Sequence, residues 1–385
     1  MNPMDELRNA KPEYLETPTP ATTRLRELNY AMAQQQTSTT RQKKFRPALG
    51  LGVIGAVAAG TAAAALVLSG GGAAPVKTPA PPLAGSSKPA VKVNGHEILL
   101  VAAENAEKQP KTAGKWWHTS SIGHHLSAVE GADYKILDRE RSDLWTPLAT
   151  GGDSFTETRK LAFGFPSKAD EDAWKAAGSP ATLTVKMPAV KGMGTKRGYE
   201  VSSQDGPAET GHSPLFQGDK VFWIGKNVTM KELLGLPGTP KALKAHLLRW
   251  YGGHDTESSS VPMTSDAWLF RVTTGLIADM PVSPQVRGAA FRMLSELKSV
   301  KVVPDVRTAD GRTGTAVSIN EDIKIKANAE ADGSYDSRLI FDVATGTALQ
   351  TDNVVVEPGG YQADLQPGDV SSLTTIATAG WTDRR

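Results

Sequence analysis

Hydrophobic and polar positions divide the chain into unlike stretches. Residues 48–69 read ALGLGVIGAVAAGTAAAALVLS, without a charge, Pro, Asn or Gln. Beyond residue 94 the pattern is that of a water-soluble domain whose period changes twice. Strand-like alternation comes first. Residues 115–122 (KWWHTSSI) are rich in aromatic and β-branched side chains, residues 143–149 and 154–163 flank a hairpin turn at Thr150-Gly151-Gly152-Asp153, and residues 218–225 (GDKVFWIG) form a short apolar strand. Helical periodicity follows. Thr239 caps a helix opened by Pro240 with Leu243, Leu247 and Trp250 on one face. Ser265 caps a second with Leu269, Val272 and Leu276 inward. Ser283 and Pro284 start a third, striped by Val286, Ala290, Met293, Leu294 and Leu297. The last third returns to strands: 300–307 turning at Asp310-Gly311 into 313–319, 323–329 turning at Asp332-Gly333 into 334–341, then 348–356, with 370–381 as an edge strand. These elements predict an α+β domain, a curved antiparallel sheet with three or four helices on one face.

The apolar run is about 33 Å long as a helix and matches a hydrocarbon core of roughly 30 Å. Arg41, Lys43, Lys44 and Arg46 lie just before it and no charge follows within several residues, which predicts one transmembrane helix with its N-terminus inside. A cleaved signal peptide is the rival reading, but its basic region would far exceed the usual length. The expected organisation is a cytoplasmic tail (1–46), a transmembrane helix (47–69), a Pro/Gly-rich stalk (70–93) and an extracytoplasmic α+β domain (94–385). The expected location is the cell membrane, with a single pass. Pro75, Pro79, Pro81, Pro82 and Pro89 hold the stalk extended. Gly52, Ala56 and Gly60 have the spacing that lets two such helices approach, although nearly every residue in the run is small.

Composition narrows the chemistry. The chain has no cysteine, which excludes disulfides, thiol nucleophiles and Cys-ligated metals. Its net charge of +2, from 43 Lys/Arg against 41 Asp/Glu, predicts no general affinity for nucleic acid. In the tail, Leu25, Leu28 and Met32 share one face of a short helix, suited to a groove on a cytoplasmic partner or to the inner leaflet. Among the seven histidines, His118, His124 and His125 are close in sequence, but strand neighbours point to opposite faces and no zinc signature accompanies them. Asp138, Glu140 and Asp143 read as a solvated strand face rather than a pair of glycosidase carboxylates. No G-x-S-x-G elbow occurs, and the glycines of residues 192–198 (GMGTKRG) lack nucleotide-binding spacing. The expectation is a non-enzyme with no cofactor and no metal. Trp116, Trp117, Phe222 and Trp223 are paired aromatics on two strands. One ring of each pair should enter the core, and the other could line a ligand surface.

Several short stretches occur in a telling order: Met4-Asp5-Glu6-Leu7, Ala169-Asp170 with Ala173-Trp174 and Ala177-Gly178-Ser179-Pro180, Leu236-Pro237-Gly238-Thr239-Pro240, Asp310-Gly311-Arg312-Thr313-Gly314, and Arg338-Leu339-Ile340-Phe341-Asp342 with Thr345-Gly346. In that order the chain resembles a family of actinobacterial single-pass membrane proteins of uncharacterised function, often encoded beside extracytoplasmic-function sigma factors. The resemblance implies a link to sigma-factor signalling and carries no catalytic residues. The element order is also similar to the half-barrel of lipoprotein-carrier and periplasmic sigma-regulator domains. Unlike zinc-binding anti-sigma factors, the tail has neither His nor Cys. The functional expectation is a membrane-anchored sensor or accessory regulator, its tail reporting to a sigma factor and its outer domain binding an envelope lipid or protein. The alternative is an extracytoplasmic carrier or scaffold with no cytoplasmic effector.

Overall fold

The computed structural model describes residues 94–186, 198–223, 226–256, 261–323 and 332–385. The expected span, stalk and tail, with Leu25, Leu28, Met32, Arg41, Lys43, Lys44 and Arg46, lie outside the described residues, as does most of 192–198. Among the described residues no helix is long and apolar enough to cross a membrane.

Helix α1 (Gly95–Glu107) opens with a capping box: the Glu97 amide donates to Asn94 at 2.9 Å, and the Asn94 amide donates to the Glu97 carboxylate at 3.2 Å. Three long strands follow, β1 (Trp116–Ala128), β2 (Lys135–Pro147) and β3 (Asp153–Gly164), and then a small helix α2 (Lys168–Ala176). Short strands β4 (Thr182–Val185) and β5 (Tyr199–Ser202) pair with each other, and β6 (Ala208–Pro214) returns to β3. Strands β7 (Lys220–Trp223) and β8 (Lys226–Thr229) form a separate hairpin leading into α3 (Met230–Leu234), α4 (Pro240–Leu248), α5 (Ser265–Ala278) and α6 (Pro284–Ser295). The chain ends in β9 (Lys301–Arg307), β10 (Thr313–Ile323), β11 (Gly333–Asp342), β12 (Thr347–Glu357) and β13 (Val370–Thr382).

Nine strands make one antiparallel sheet in the order β6-β3-β2-β1-β13-β12-β11-β10-β9, which does not close into a barrel. The α+β class with a large antiparallel sheet is therefore as expected. Several finer expectations differ. The segment 370–381 is not at an edge: β13 lies between β1 and β12, and its residues carry no charge, as suits a strand paired on both sides. Residues 313–323 form one strand that pairs directly with β11, and residues 324–331 lie outside the described residues. Asp332-Gly333 is no tight turn, because Gly333 is already opposite Ile323 in the ladder, where a Cβ would lie 2.6 Å from the Glu357 carbonyl. Thr264, not Ser265, caps α5, and Thr239 makes no side-chain cap bond. The strand expected at 218–225 contributes only to the β7–β8 hairpin, outside the main sheet.

The helices cover one face of the sheet. Trp268, Phe270 and Phe291 from α5 and α6 are fully buried against Phe341 of β11, with Phe291 and Phe341 meeting edge-on at 4.9 Å. Helix α1 packs along α6, and Arg292 of α6 makes a two-pronged ion pair with Glu107 at the end of α1. A second, smaller core lies where β4, β5 and α2 pack on one end of β1–β3, built from Val129, Tyr134, Ile136, Phe163, Leu183 and Val185.

The opposite face is managed differently. The β9–β10 connection, residues 308–312, folds over its middle: Arg312 donates to the Leu349 and Ile376 carbonyls at 3.1 and 2.9 Å, and the Ala309 amide donates to Gln350 at 2.8 Å. The sheet edges also differ. β9 contains Pro304, Asp305 at φ 56° and a register shift opposite Gly314/Ala316, whereas β6 runs in uninterrupted register along β3 and is exposed at all residues but Ser213.

Gly346 in the β11–β12 turn has φ 64°, and a Cβ there would lie 2.6 Å from the Cβ of Ala106 in α1. Gly346→Ala should cost about 2 kcal/mol or more, from the left-handed backbone and the forced separation of helix and turn. Urea denaturation checks this as a lower midpoint with unchanged slope.

Candidate functional site

Trp116 and Trp117 go to opposite sides of the sheet, as strand alternation requires. Trp117 is 3% exposed, lies edge-on to Trp381 at 5.4 Å, and donates its indole N–H to the Asp279 carbonyl at 2.6 Å. Trp116 faces away from the helices, edge-on to Phe155 at 5.3 Å. Phe222 and Trp223 belong to β7, and their side chains lie outside the described residues. The structure thus separates Trp116 from Trp117 and gives no shared lining for the four.

A different grouping forms instead. The register places His118 of β1 beside Trp145 of β2, Trp145 beside Phe155 of β3, and Phe155 beside His212 of β6. His118 stacks on Trp145 at 4.5 Å with planes 7° apart, and Phe155 stacks on His212 at 5.8 Å. The Arg385 guanidinium lies over the Phe155 ring, 3.6 Å from its centroid. The result is a cross-strand row of rings on the face the helices leave bare, with Trp116 beside it. Sequence alone marks His118 and Trp116 through the KWWHTSSI strand. Trp145, Phe155 and His212 needed the pairing of β2, β3 and β6, and the turn at Gly151 was the one available signal for the β2–β3 part.

The next row is polar. Asp143 accepts from His118 Nε2 at 3.1 Å and from Arg141 at 2.8 Å. Burial alone would raise its carboxyl, but hydrogen bonds from Arg141, Ser120 and His118 outweigh that and hold it below the usual carboxylate range. Ser120, His118 and Asp143 are the residue types of a catalytic triad, yet serine and imidazole both bond to the carboxylate rather than to each other, which is not the order of a triad. The expectation that Asp138, Glu140 and Asp143 form one solvated face is corrected: Asp138 and Asp143 are each 5% exposed and point to opposite faces. Asp138 accepts from the Tyr199 hydroxyl at 2.9 Å, and Lys160 bridges to Glu140 at 3.0 Å. The hairpin β4–β5 brings in Tyr199, which is what closes Asp138 from water.

His118 and His124 share a face but are six residues apart along β1, and His125 points the other way. Among the described residues no group of three or more His, Asp or Glu is placed to hold a metal ion.

A buried ionic cluster ties the helix layer to the sheet. Arg271 of α5 pairs with Asp255, reaches Glu321 of β10 at 2.5 Å, and donates to the Tyr335 hydroxyl of β11 at 3.1 Å. Burial opposes the charge of Arg271, but Glu321, Tyr335 and Asp255 together raise its affinity for its proton. Glu321 Oε1 is buried with no hydrogen-bond partner. This is a structural lock rather than a reactive centre, since the guanidinium fills the space between the carboxylates.

No family model matches the chain, and no curated protein or solved structure matches it either.

Two groups with buried polar atoms, far apart in sequence, act on stability in opposite senses as pH changes. Burial, then Arg139 and His125, lower the His124 imidazole to about 4, and its Nδ1 is sealed without a partner. Burial raises the Asp279 carboxyl to about 7, with Oδ1 likewise unpartnered. Unfolded His takes up its proton near pH 6.5, so His124 withdraws stability as pH falls from there to about 4. An unfolded carboxyl ionises near 3.9, so Asp279 adds stability as pH falls from about 7 toward that value. Relative to wild type, His124→Gln should therefore gain in urea midpoint on acidification through this window, and Asp279→Asn should lose. Separately, Arg271→Met should cost about 3–5 kcal/mol by stranding two buried carboxylates, and adding Glu321→Gln should restore part of it. Urea melts of the single and double variants measure both.

Proposed function

We propose that this chain is a membrane-anchored extracytoplasmic binding protein that acts as a sensor or accessory regulator linked to sigma-factor signalling, and is not an enzyme. In this reading residues 47–69 cross the membrane with the N-terminus inside, and the sheet with its helices corresponds to the half-barrel of lipoprotein-carrier and periplasmic sigma-regulator domains. The observation that carries the binding role is the row His118–Trp145–Phe155–His212, a set of rings on the face that no helix covers. Rings aligned across four strands, His212 exposed and the other three half-buried, offer contact area at small entropic cost. The reading as a binder draws on the arrangement of Ser120, whose hydroxyl is committed to Asp143. A carrier that encloses its cargo fits less well, because the space between helices and sheet is filled by Trp268, Phe270, Phe291 and Phe341.

Regulation across one helix requires an effector inside. The tail face of Leu25, Leu28 and Met32 is the proposed contact for a sigma factor. The test is a pull-down from solubilised membranes with three forms: the full chain, a version lacking residues 1–40 that keeps the basic cluster, and the full chain with Phe155→Ala. The expected result is a sigma factor retained by the full chain and Phe155→Ala but lost without the tail. An envelope component should be retained by the first two and weakened about tenfold or more by Phe155→Ala, as for truncation of a central aromatic anchor. Envelope capture indifferent to Phe155 sinks the binding surface. Loss of no cytoplasmic partner on removing the tail leaves an outside scaffold only.

A further inference from the structure

The row of rings stops at an open sheet edge. Strand β6 pairs with β3 on one side, and among the described residues nothing pairs with its other side. Such an edge leaves the N–H and C=O groups of alternate residues pointing outward, a template for another strand. The two edges of this sheet are not treated alike. β9 is broken by Pro304, by Asp305 at positive φ and by a register shift, whereas β6 is regular and its one proline, Pro214, is its last residue. Lysine, the usual guard of an exposed edge, is absent from Ala208–Pro214, and Glu209 is the single acidic residue there.

The sequence of β6 fits its own copy in one antiparallel register. His212 stacks on Phe155 and so lies on the face of the rings, together with Ala208, Thr210 and Pro214. Residues directly opposite in an antiparallel pair share a face. In a pair of copies related by a two-fold axis normal to the sheet, even-numbered residues of β6 must therefore meet even-numbered ones. With Gly211 on the axis, all seven residues pair: Ala208 meets the partner's Pro214, Glu209 the partner's Ser213, and Thr210 the partner's His212. The two Glu209 carboxylates then lie about 14 Å apart along the strands. Sliding the pair until Glu209 meets its own copy would set like charges opposite each other. Phe216, 49% exposed just past Pro214, stands at each end of the joined strands, where the partner's strand begins.

We propose that the protein acts as a two-fold dimer joined β6 to β6, and that the partner completes the surface of the rings. In this register the row His118–Trp145–Phe155–His212 continues on the partner's Thr210, the partner's Glu157 and the partner's Asp143, which the ladders align across β6, β3 and β2. Each aromatic row thus runs into the polar row of the other copy on one continuous face. A ligand lying across the seam touches both copies, so it tightens the dimer as the dimer tightens it. This regulatory consequence rests on the reading of the rings as a binding surface, and the pairing of the strands does not. A strand pair of this length is a small contact, and confinement of both copies to one membrane raises their effective concentration.

The chain lacks cysteine, so one introduced thiol is unique. Gly211→Cys puts the two thiols across the axis within reach of a disulfide, whereas Glu209→Cys sets them about 14 Å apart. The full chain is oxidised mildly in solution and, separately, in phosphatidylcholine vesicles. Gly211→Cys should give about tenfold or more covalent dimer than Glu209→Cys, or than Val303→Cys on β9, because only the first meets disulfide geometry. A Cβ at Gly211 lies 3.0 Å from the Thr156 hydroxyl, so a second pair of variants avoids that position. Thr210→Cys chains mixed with His212→Cys chains should form the mixed covalent dimer in excess over the dimer of either alone. Equal yields at all sites, a dimer trapped only through Val303→Cys, or a different protein captured at position 211 each overturns the proposal. Adding Phe155→Ala should leave the Gly211→Cys yield unchanged. The pull-down judges the rings as a binding surface and the crosslink judges the seam, so either can fail alone.

Discussion

A strand shows its residues to two sides in turn, and a sheet nine strands wide therefore has two large faces to account for. The rest of the molecule follows from how unequally they are treated. One face receives α1, α5 and α6 and becomes a close-packed core, where Phe291 and Phe341 meet and Trp117 is sealed beside Asp279. Among the described residues the other face carries no α-helix, and the β12–β13 connection packs Leu365 against Leu126 there. It is held by polar pairs such as Arg338–Asp352, by the folded-over connection of residues 308–312, and by rings laid side by side. On that second face side chains are held in order without being buried under a helix layer.

The helix layer is coupled to its face of the sheet through ions as well as through packing. Arg271 reaches from a helix to two strands and carries its charge into a site with little water. Such a bond is a poor source of stability but a strict one in geometry, because the fork of a guanidinium tolerates little displacement of its carboxylates. It fixes where α5 lies along β10 and β11, and hence where the C-terminal end of α5 delivers Asp279 to the Trp117 indole. A shift of the helix layer would be felt by β1, the strand that also carries His118 and Trp116 on its opposite side.

Much of this architecture was legible in the sequence. Pro284 behind Ser283, the stripe ending at Leu297, and the apolar alternation of β10 to β12 each state an element through local chemistry. What failed was pairing over long distance. Nothing local says that β13 inserts beside β1, although the absence of any charge between Val370 and Thr382 hinted that both its edges are used. Asp332-Gly333 has the composition of a hairpin turn, and its glycine is needed instead because the Glu357 carbonyl approaches too closely for a side chain. The candidate surface was half legible for the same reason. Trp116 and His118 announce themselves within one strand, whereas Phe155 and His212 join them only through the order in which strands line up. The burial of Asp138 depends on Tyr199, contributed by a separate hairpin, and no reading of β2 alone contains that information.

The unlike edges of the sheet set a limit on assembly. At β9 a proline, a left-handed aspartate and a register shift spoil the ladder for any incoming strand. At β6 the backbone is regular and exposed. Strand addition can therefore proceed from one side only. Two copies that join β6 to β6 about a two-fold axis consume the open edge of both and present only blocked edges outward, so the contact closes on itself and has no way to grow into a fibre.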